Sequence, residues 1–498
     1  MNYVGEEVDK ALETKLASEI SRSTTFDNSH SNIENSKGTS STQIKQDGTG
    51  GTWDFSPKNP NITVEDSTLT GPMPYGGTGN FASSFGGKST ARGKRSFTKG
   101  SSTIAYGNYS SAEGSDTVTM GSASHGEGYA NLTGKNADSA HAEGGENYVS
   151  AARGHVEGYK NTVTANNAHA EGAQCLASAE EGHAEGLFTT ASGLAAHAEG
   201  QQTTASGINA HSEGSGSVAS GDTSHAEGYG NISSSYSSHS EGAGNKVLNV
   251  LPESGGDTPG PSPVDPTDPN FKIDEHIGYN SHIEGSQNLG YGYTSHTEGA
   301  NNTNYSHYGH AEGTNNILGS VNSTNKTVIG EGVHAEGSKN TSDGDYSHVE
   351  GYLNKNKSSI THIEGYNNSS TVTGTNIAGH IEGIENAVSG SNTTGFHVEG
   401  YANKITGGNS YYSHVGGQGN TLTKSPVSFI YGYSNQSSAP GGRVIALGVG
   451  LKATDDNTFQ FGTYNDPMSG TGVMGTIGCG SSNSDRRNSL VFMRDGRV

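Results

Sequence analysis

The chain has 498 residues, of which 29% are hydrophobic and 76 are glycine, and its formal net charge at pH 7 is −22. A globular enzyme of this length would divide into several domains with ordinary apolar cores, and this composition does not supply them. The acidic balance also disfavours nucleic acid and anionic membranes as partners.

The N-terminal segment, residues 2–21, has the pattern of a short amphipathic helix. Its apolar residues recur at every fourth position: Val4, Val8, Leu12, Leu16 and Ile20. An isolated helix of this length is marginal, so we expect it to dock on a partner or on copies of itself. No apolar leader region is visible at the start, and no window is long and apolar enough to span a membrane.

The two cysteines, Cys175 and Cys479, match no metal or redox spacing. They indicate no disulfide framework and only weakly support synthesis in the cytosol.

A polar connector reaches to about Thr70, and a turn sequence rich in proline and glycine follows from Pro72 to Gly79. This sequence, Pro-Met-Pro-Tyr-Gly-Gly-Thr-Gly, resembles an element found near the N-termini of bacteriophage tail fibres and other virion appendages. From Gly79 glycine then recurs every seven residues as far as Gly128. We expect these glycines to close turns, because glycine accepts positive φ and lets a neighbouring backbone approach closely.

The most regular part of the chain runs from His141 to Gly242, where the motif His-x-Glu-Gly returns every fourteen residues. Its copies begin at His141, His155, His169, His183, His197, His211, His225 and His239. A fixed period of fourteen is too short for helical repeat units and predicts one turn, or coil, of a β-solenoid. Because seven is half of fourteen, each coil should contain two short strands.

The motif is interrupted after Gly242. The interruption includes a segment with six prolines (252–270), which cannot continue a ladder of strands because proline lacks the backbone N–H. The segment therefore predicts a protruding loop or a joint between two solenoid segments. The motif then resumes with successive spacings of 14, 14, 24, 14, 14, 18 and 17 residues, and the insertions are expected at turns. These later copies begin at His282, His296, His310, His334, His348, His362, His380 and His397. A degraded copy follows at His414, and residues 425–498 predict an irregular β-rich cap.

Within the motif, His and Glu share one face of a strand, and the residue between them points into the coil. That residue is mostly Ala in the first segment and Ile or Val in the second, which predicts a thin core followed by a thicker one. Because a thin core buries little apolar area, we expect three chains to pack side by side.

Three uses of the His/Glu face compete. Metal ligation is possible for these residue types, but many near-identical copies resemble a lattice more than one site. Catalysis needs two carboxylates in different environments, whereas every Glu here has similar surroundings. We favour a structural use, in which each His supplies a hydrogen-bond donor to a Glu within the chain or in a neighbouring chain. The sequence therefore predicts no catalytic residues, no cofactor and no metal site.

Tyrosines that follow the motif could stack on sugars, because their rings are amphipathic, or simply shield adjacent turns. The candidates for glycan binding are Tyr352, Tyr366 and Tyr401. Asn and Asp are taken as turn residues.

The fourteen-residue coils resemble the left-handed parallel β-roll heads of trimeric autotransporter adhesins. The Ser-His-Ala-Glu-Gly sequence at Ser224 to Gly228 is similar to the repeats of certain bacteriophage and prophage proteins. Some of those proteins end in a self-cleaving chaperone domain. The tail from Phe459 to Val498 resembles the segment that precedes such a domain. The resemblance implies that the chain could be a matured product, which comparing its intact mass with the encoded reading frame would test.

Together these observations predict an all-β, left-handed parallel β-roll in a homotrimeric fibre, with a short N-terminal helix. The expected parts are an anchoring helix and connector (1–78), a first β-roll (79–242), an insertion or joint (243–281), a second β-roll (282–424) and a cap (425–498).

The expected function is that of a bacteriophage tail fibre, made in the host cytoplasm and located on the virion, that binds a bacterial surface glycan. Its partners would be two further copies, phage tail or capsid proteins through the N-terminal segment, and the host receptor. A capsid-attached head fibre or decoration protein and a bacterial trimeric surface adhesin remain alternatives.

Overall fold

A computed structural model describes residues 81–249, 277–321, 328–373, 377–468, 470 and 472–498. The expected N-terminal helix, the connector and the turn sequence at 72–79 lie outside the described residues. The chain divides into two compact units, Met1–Ser233 and Ser234–Val498. No helix occurs among the described residues, and each unit is a parallel β-solenoid with coils of about fourteen residues. The predicted solenoid is thus confirmed, whereas the left-handed winding and the trimer stay predictions.

Each regular coil contains one long strand, which carries the motif, and one short strand. In the first unit the long strands form one parallel sheet: β1 (Ser83–Phe85), β3 (Phe97–Ser101), β5 (Ser111–Ser115), β7 (His125–Tyr129), β9 (His141–Gly145), β11 (His155–Tyr159), β13 (His169–Ala173), β15 (His183–Leu187), β17 (His197–Gln201), β19 (His211–Ser215) and β21 (His225–Tyr229).

The short strands of the first unit form the opposite sheet: β2 (Thr90–Ala91), β4 (Ile104–Ala105), β6 (Val118–Thr119), β8 (Leu132–Thr133), β10 (Tyr148–Val149), β12 (Thr162–Val163), β14 (Leu176–Ala177), β16 (Thr190–Ala191), β18 (Thr204–Ala205), β20 (Val218–Ala219) and β22 (Ile232–Ser233). Register follows the repeat, so that His183 pairs with His197 and Glu185 with Glu199. Identical residues therefore lie above one another in columns.

The second unit repeats this plan. Its long-strand sheet contains β23 (His239–Ala243), β25 (His282–Ser286), β27 (His296–Thr297), β29 (His310–Ala311), β33 (His334–Ser338), β35 (His348–Tyr352), β37 (Thr361–Tyr366), β39 (Gly379–Ile381), β41 (Phe396–Val398), β43 (His414–Gln418), β45 (Phe429–Tyr433), β47 (Ile445–Val449), β49 (Phe459–Thr463), β50 (Val473–Cys479) and β51 (Asn488–Met493).

Its short-strand sheet contains β24 (Lys246–Val247), β26 (Leu289–Gly290), β28 (Thr303–Asn304), β30 (Ile317–Leu318), β34 (Thr341–Ser342), β36 (Lys355–Asn356), β38 (Ser369–Thr373), β40 (Ala387–Ser391), β42 (Lys404–Thr406), β44 (Thr421–Thr423), β46 (Gln436–Ser437) and β48 (Lys452–Ala453).

Insertions leave the solenoid after the short strand, as expected. His239 pairs directly with His282, so the solenoid continues from β23 to β25, and the proline-rich segment (252–270) between them lies outside the described residues. The ten-residue insertion after Leu318 forms an antiparallel hairpin of β31 (Ser320–Val321) and β32 (Val328–Ile329).

The coils extend further than the His-x-Glu-Gly motif. β45, β47 and β49 continue the parallel pairing from β43, so residues 429–463 belong to the solenoid and not to an irregular cap. The physical reason is that these coils keep the buried inward residue, Ile430 or Ala446, and the glycine after it. The change of pattern comes at the end, where β51 pairs antiparallel with β50.

The core of each unit follows the residue between His and Glu. In the first unit the main cluster consists mostly of alanines, such as Ala184 and Ala198, both fully buried. In the second unit the main cluster contains larger side chains, such as Ile363, Ile381 and Leu422. The prediction of a thin core followed by a thicker one is confirmed.

The glycines of the seven-residue register fall into two sets. One set begins turns, as expected: the carbonyl oxygens of Gly93 and Gly107 accept the backbone N–H groups of Ser96 and Ser110. The other set, the fourth residue of each motif, does not form turns, which corrects the expectation for these glycines. Gly186 lies within β15 with φ +115°, and a Cβ atom there would lie 2.1 Å from the carbonyl oxygen of Gly200. The turns instead place ordinary residues at positive φ, for example Phe188 at 59° and Ala195 at 52°. The close approach of neighbouring coils, also expected from glycine, is confirmed.

Candidate functional site

The outward face of each long-strand sheet carries three columns of side chains. Counting the motif histidine as position 1 of its coil, these columns occupy positions 1, 3 and 5, because side chains alternate along a strand. We call them the histidine column (position 1), the glutamate column (position 3) and the tyrosine column (position 5). In β35 the three positions are His348, Glu350 and Tyr352. Val349, between the first two, is fully buried.

Imidazole rings stack along the histidine column. Ring centroids of His334 and His348 lie 4.4 Å apart with an interplanar angle of 4°, and those of His183 and His197 lie 4.6 Å apart at 11°. This separation is close to the spacing of neighbouring strands, so the backbone pairing itself brings the rings into contact.

Several histidines, such as His183 and His348, approach the glutamate of their own coil without a hydrogen bond. The Nε2 atom of His183 lies 3.8 Å from Oε2 of Glu185, a distance too long for a hydrogen bond. The Nε2 atoms of His183 and His348 are buried and have no hydrogen-bond partner in the described part of the chain. The expected hydrogen-bonded pairing within one chain is therefore wrong for these coils. It occurs where the column ends, between Nε2 of His414 and Oε1 of Glu399 at 3.3 Å.

Burial, followed by the neighbouring histidines, makes several members of the histidine column poor proton acceptors. Partial burial lowers the pKa of His169 and His197 below the ordinary value, and the neighbouring histidines lower it further. The nearby glutamates act in the opposite direction but more weakly. At neutral pH His169 and His197 are consequently uncharged.

Carboxylates in the glutamate column of the second unit share protons. Partial burial, and the hydrogen bonds that its protonated carboxyl donates to Glu364 and Glu336, raise the pKa of Glu350 to about 7. Burial and the same Glu364 raise the pKa of Glu382, whereas the hydrogen bond with Glu350 lowers the pKa of Glu364. A protonated Glu350 beside an ionised Glu364 relieves the repulsion of stacked like charges.

The two columns supply ligand types that bind transition metals. One nitrogen or oxygen from each of His183, Glu185 and His197 lies within 4.8 Å of the others, and similar triplets recur along the sheet. The stacked rings are nearly parallel, however, so the in-plane lone pairs of adjacent histidines do not converge on one ion. One coil then offers a single nitrogen and a carboxylate, fewer than the four ligands of a typical zinc site.

The three tyrosines singled out from the sequence belong to one exposed column. Tyr352 pairs with Tyr366, and Ile384 connects Tyr366 to Tyr401 through backbone bridges. The rings of Tyr352 and Tyr366 stack with centroids 5.7 Å apart. All four side chains remain between 37% and 45% exposed. The amine of Lys339 lies over the ring of Tyr352 and hydrogen-bonds its hydroxyl at 3.1 Å.

A column of buried asparagines at position 7 was not recognised from the sequence as structural. Asn302 donates from Nδ2 to the carbonyl oxygens of Glu298 and Gly313, at 2.7 and 2.9 Å. Its Oδ1 accepts the backbone N–H of Asn316, the next member of the column. The signal was visible, because in the second unit asparagine occupies the sixth residue after the start of successive coils. The members there are Asn245, Asn288, Asn302, Asn316, Asn340, Asn354, Asn368, Asn386, Asn403, Asn420 and Asn435.

The outward face changes its chemistry in the last regular coils. Phe429, Ile445 and Phe459 occupy position 1 in place of histidine. Position 3 carries Tyr431, Leu447 and Phe461 in place of glutamate. The sequence gives little signal for this face, because the motif residues His and Glu are replaced in all three coils.

No protein-family model matches the chain, and no curated protein matches it significantly. Within the described residues, no helix has the length and apolar character needed to cross a membrane.

Proposed function

We propose that the chain is a subunit of a homotrimeric bacteriophage tail fibre that binds a glycan on the bacterial surface. Residues 1–78 would attach the fibre to tail or capsid proteins, and the solenoid would project from the virion. No catalytic step belongs to this proposal. The observation that carries it is the exposed tyrosine column of the second unit.

The column has the properties of a sugar-binding platform. Its rings are amphipathic, with an apolar face for stacking and a hydroxyl for hydrogen bonds. Paired strands hold Tyr352 and Tyr366 in fixed positions, so little conformational entropy is lost when a ligand binds. Lys339 adds a cationic hydrogen-bond donor at one end. A shallow platform binds weakly, and three copies in one fibre would raise the avidity by orders of magnitude.

The test is binding of the full chain to host cells and to arrays of host surface polysaccharides. We expect the triple variant Tyr352→Ala, Tyr366→Ala, Tyr401→Ala to lose at least ten-fold in apparent affinity. The matched control is Tyr129→Ala, Tyr159→Ala, because these exposed tyrosines occupy position 5 of the first unit but are separated by Gly145. Equal binding by the triple variant and the wild-type chain would refute the tyrosine column as the binding site.

Location on the particle needs a separate experiment. Negative-stain images of virions labelled with an antibody against the chain should place it on the tail. Label on the capsid would favour the head fibre instead, and label on bacterial cells in the absence of phage would favour a bacterial adhesin.

A further inference from the structure

The last regular coils expose an apolar surface where the rest of the sheet carries histidine and glutamate. We call this surface the apolar seam, consisting of Phe429, Tyr431, Ile445, Leu447, Phe459 and Phe461. Phe429 is 40% exposed, Tyr431 46% and Ile445 45%, and the other three side chains are partly exposed. Six such side chains on one flat sheet amount to roughly several hundred Å² of apolar surface, the size at which an exposed patch marks an interaction site.

We propose that the apolar seam is the surface through which copies of this chain pack against one another. The inference rests on the homotrimeric fibre proposed above and names its contact surface.

Three observations favour a second copy over an unrelated protein. The first is periodicity: apolar groups recur along the seam once per coil, at the spacing of paired strands. A partner must present groups at the same interval to fill every step. The seam of another copy presents apolar groups at this same interval, so each coil of one copy can pack against a coil of the other. The surface of a globular protein has no such period.

The second observation concerns charge. The chain carries a net charge of −22, so its copies repel one another over most of their surface. Positions 1 and 3 of β45, β47 and β49 contain no ionisable group other than the Tyr431 phenol. Self-association therefore costs the least electrostatic energy along this part of the face.

The third observation is that the seam continues the histidine column. The ring of His414 lies against the ring of Phe429, with centroids 4.9 Å apart. Upstream, the buried Nε2 atoms of histidines such as His348 find no hydrogen-bond acceptor in the described part of the chain. Packing of a second copy over the seam also brings the glutamate column of that copy close to the histidine column of the first. The carboxylates of the second copy can then accept hydrogen bonds from these histidines.

The experiment measures the mass of the full-length protein in solution by analytical ultracentrifugation. Ile445→Glu places a carboxylate in the middle of the seam, at a side chain exposed enough for the coil to fold. The matched control is Ile329→Glu, because Ile329 is 39% exposed but lies in the β31–β32 hairpin, outside the seam. Circular dichroism checks that both variants keep the β-structure of the wild-type chain.

We expect the wild-type chain and Ile329→Glu to sediment as trimers, and Ile445→Glu to raise the dissociation constant at least a hundred-fold. Because a variant can also fail to fold, Ile445→Cys in a Cys479→Ser background provides a second measurement, with disulfide-linked chains expected on oxidation. A monomeric wild-type chain, or assembly of Ile445→Glu equal to that of the wild type, would overturn the inference. A dimer that Ile445→Glu dissociates would support the seam and contradict the trimer. Glycan binding by a monomer would contradict the trimer but leave the proposed glycan binding intact.

Discussion

Glycine at position 4 of the coil is required by the approach of the next coil rather than by a turn. The φ of Gly200, +104°, is one that L side chains rarely adopt, and a Cβ atom would lie 2.2 Å from the carbonyl oxygen of Gly214. Residues at the turns, by contrast, occupy the left-handed region near φ +55°, which any side chain can adopt at a cost of about 1 kcal/mol. Backbone hydrogen bonds between coils, such as that from Gln202 N–H to Leu187 O, offset this cost.

Gly186→Ala tests this requirement. The added methyl group would meet the backbone of Gly200, which cannot move without breaking the ladder, so we expect a loss of more than about 3 kcal/mol in unfolding free energy. Gly216→Asn is the control, because Gly216 has φ +67° with open space around it, and Asn tolerates that conformation. Chemical denaturation of both variants measures the difference. Similar stability of the two variants would contradict the role assigned to position 4.

The asparagine column satisfies backbone groups that the turn would otherwise leave buried and unpaired. Asn302→Ala removes two donors, to the partly buried carbonyls of Glu298 and Gly313, and one acceptor, for the buried N–H of Asn316, and we expect it to cost about 2–4 kcal/mol. Asn302→Thr should cost less, because Thr203 occupies this position in the first unit and its hydroxyl donates to the carbonyl of Glu199 at 3.0 Å. Thermal unfolding of the two variants gives the ranking. If threonine were as harmful as alanine, the hydrogen bonds would not be the cause.

At the scale of the strand, stacking of identical residues has opposite consequences for the two polar columns. Burial and stacking lower the pKa of His169 and His197, so their protonation in acid destabilises the fold. Glu350 behaves in the opposite way: its pKa is raised to about 7, so the stability that its protonated form contributes is lost as the pH rises from about 4.5 to 7.

Acid should destabilise the first unit through its histidines. The pKa values of His169 and His197 in the folded chain lie below 6.5, so below that pH the unfolded chain binds more protons. Stability is therefore full above pH 6.5 and falls as the pH is lowered through the folded pKa. We expect the melting temperature of the first unit to decrease between pH 7 and pH 5, and His169→Gln, His197→Gln to flatten the decrease. An identical pH profile for the double variant would contradict this mechanism.

At the scale of the whole chain, the two units differ in how much apolar area each coil buries. Each buried CH₂ contributes about 0.8 kcal/mol, so coils filled by Ile363 or Leu422 are more stable than coils filled by Ala184 or Ala198. Solenoids unfold in segments because each coil contacts only its neighbours. The chain is consequently expected to open first in the alanine-filled coils.

Hydrogen exchange followed by mass spectrometry tests this order. Peptides from 141–219 should exchange at least ten-fold faster than peptides from 349–453, at a pH where the histidines are neutral. Ala184→Val, which enlarges the thin core by two methyl groups, should slow exchange in its own coil and the two adjacent ones. Uniform exchange over both ranges would indicate that some other interaction determines local stability.

The sequence by itself determined the period, the two strands of each coil, the direction in which Ala184 or Ile363 points and the difference between the two cores. These properties follow from repetition, since a fixed period places like residues in register and alternation along a strand assigns them to a face. Only the tertiary structure decided that the motif glycines lie inside strands, that buried asparagines connect the coils and that residues 429–463 continue the solenoid with an apolar face. Each of these depends on the backbone one coil away, a contact that local residue preferences do not encode.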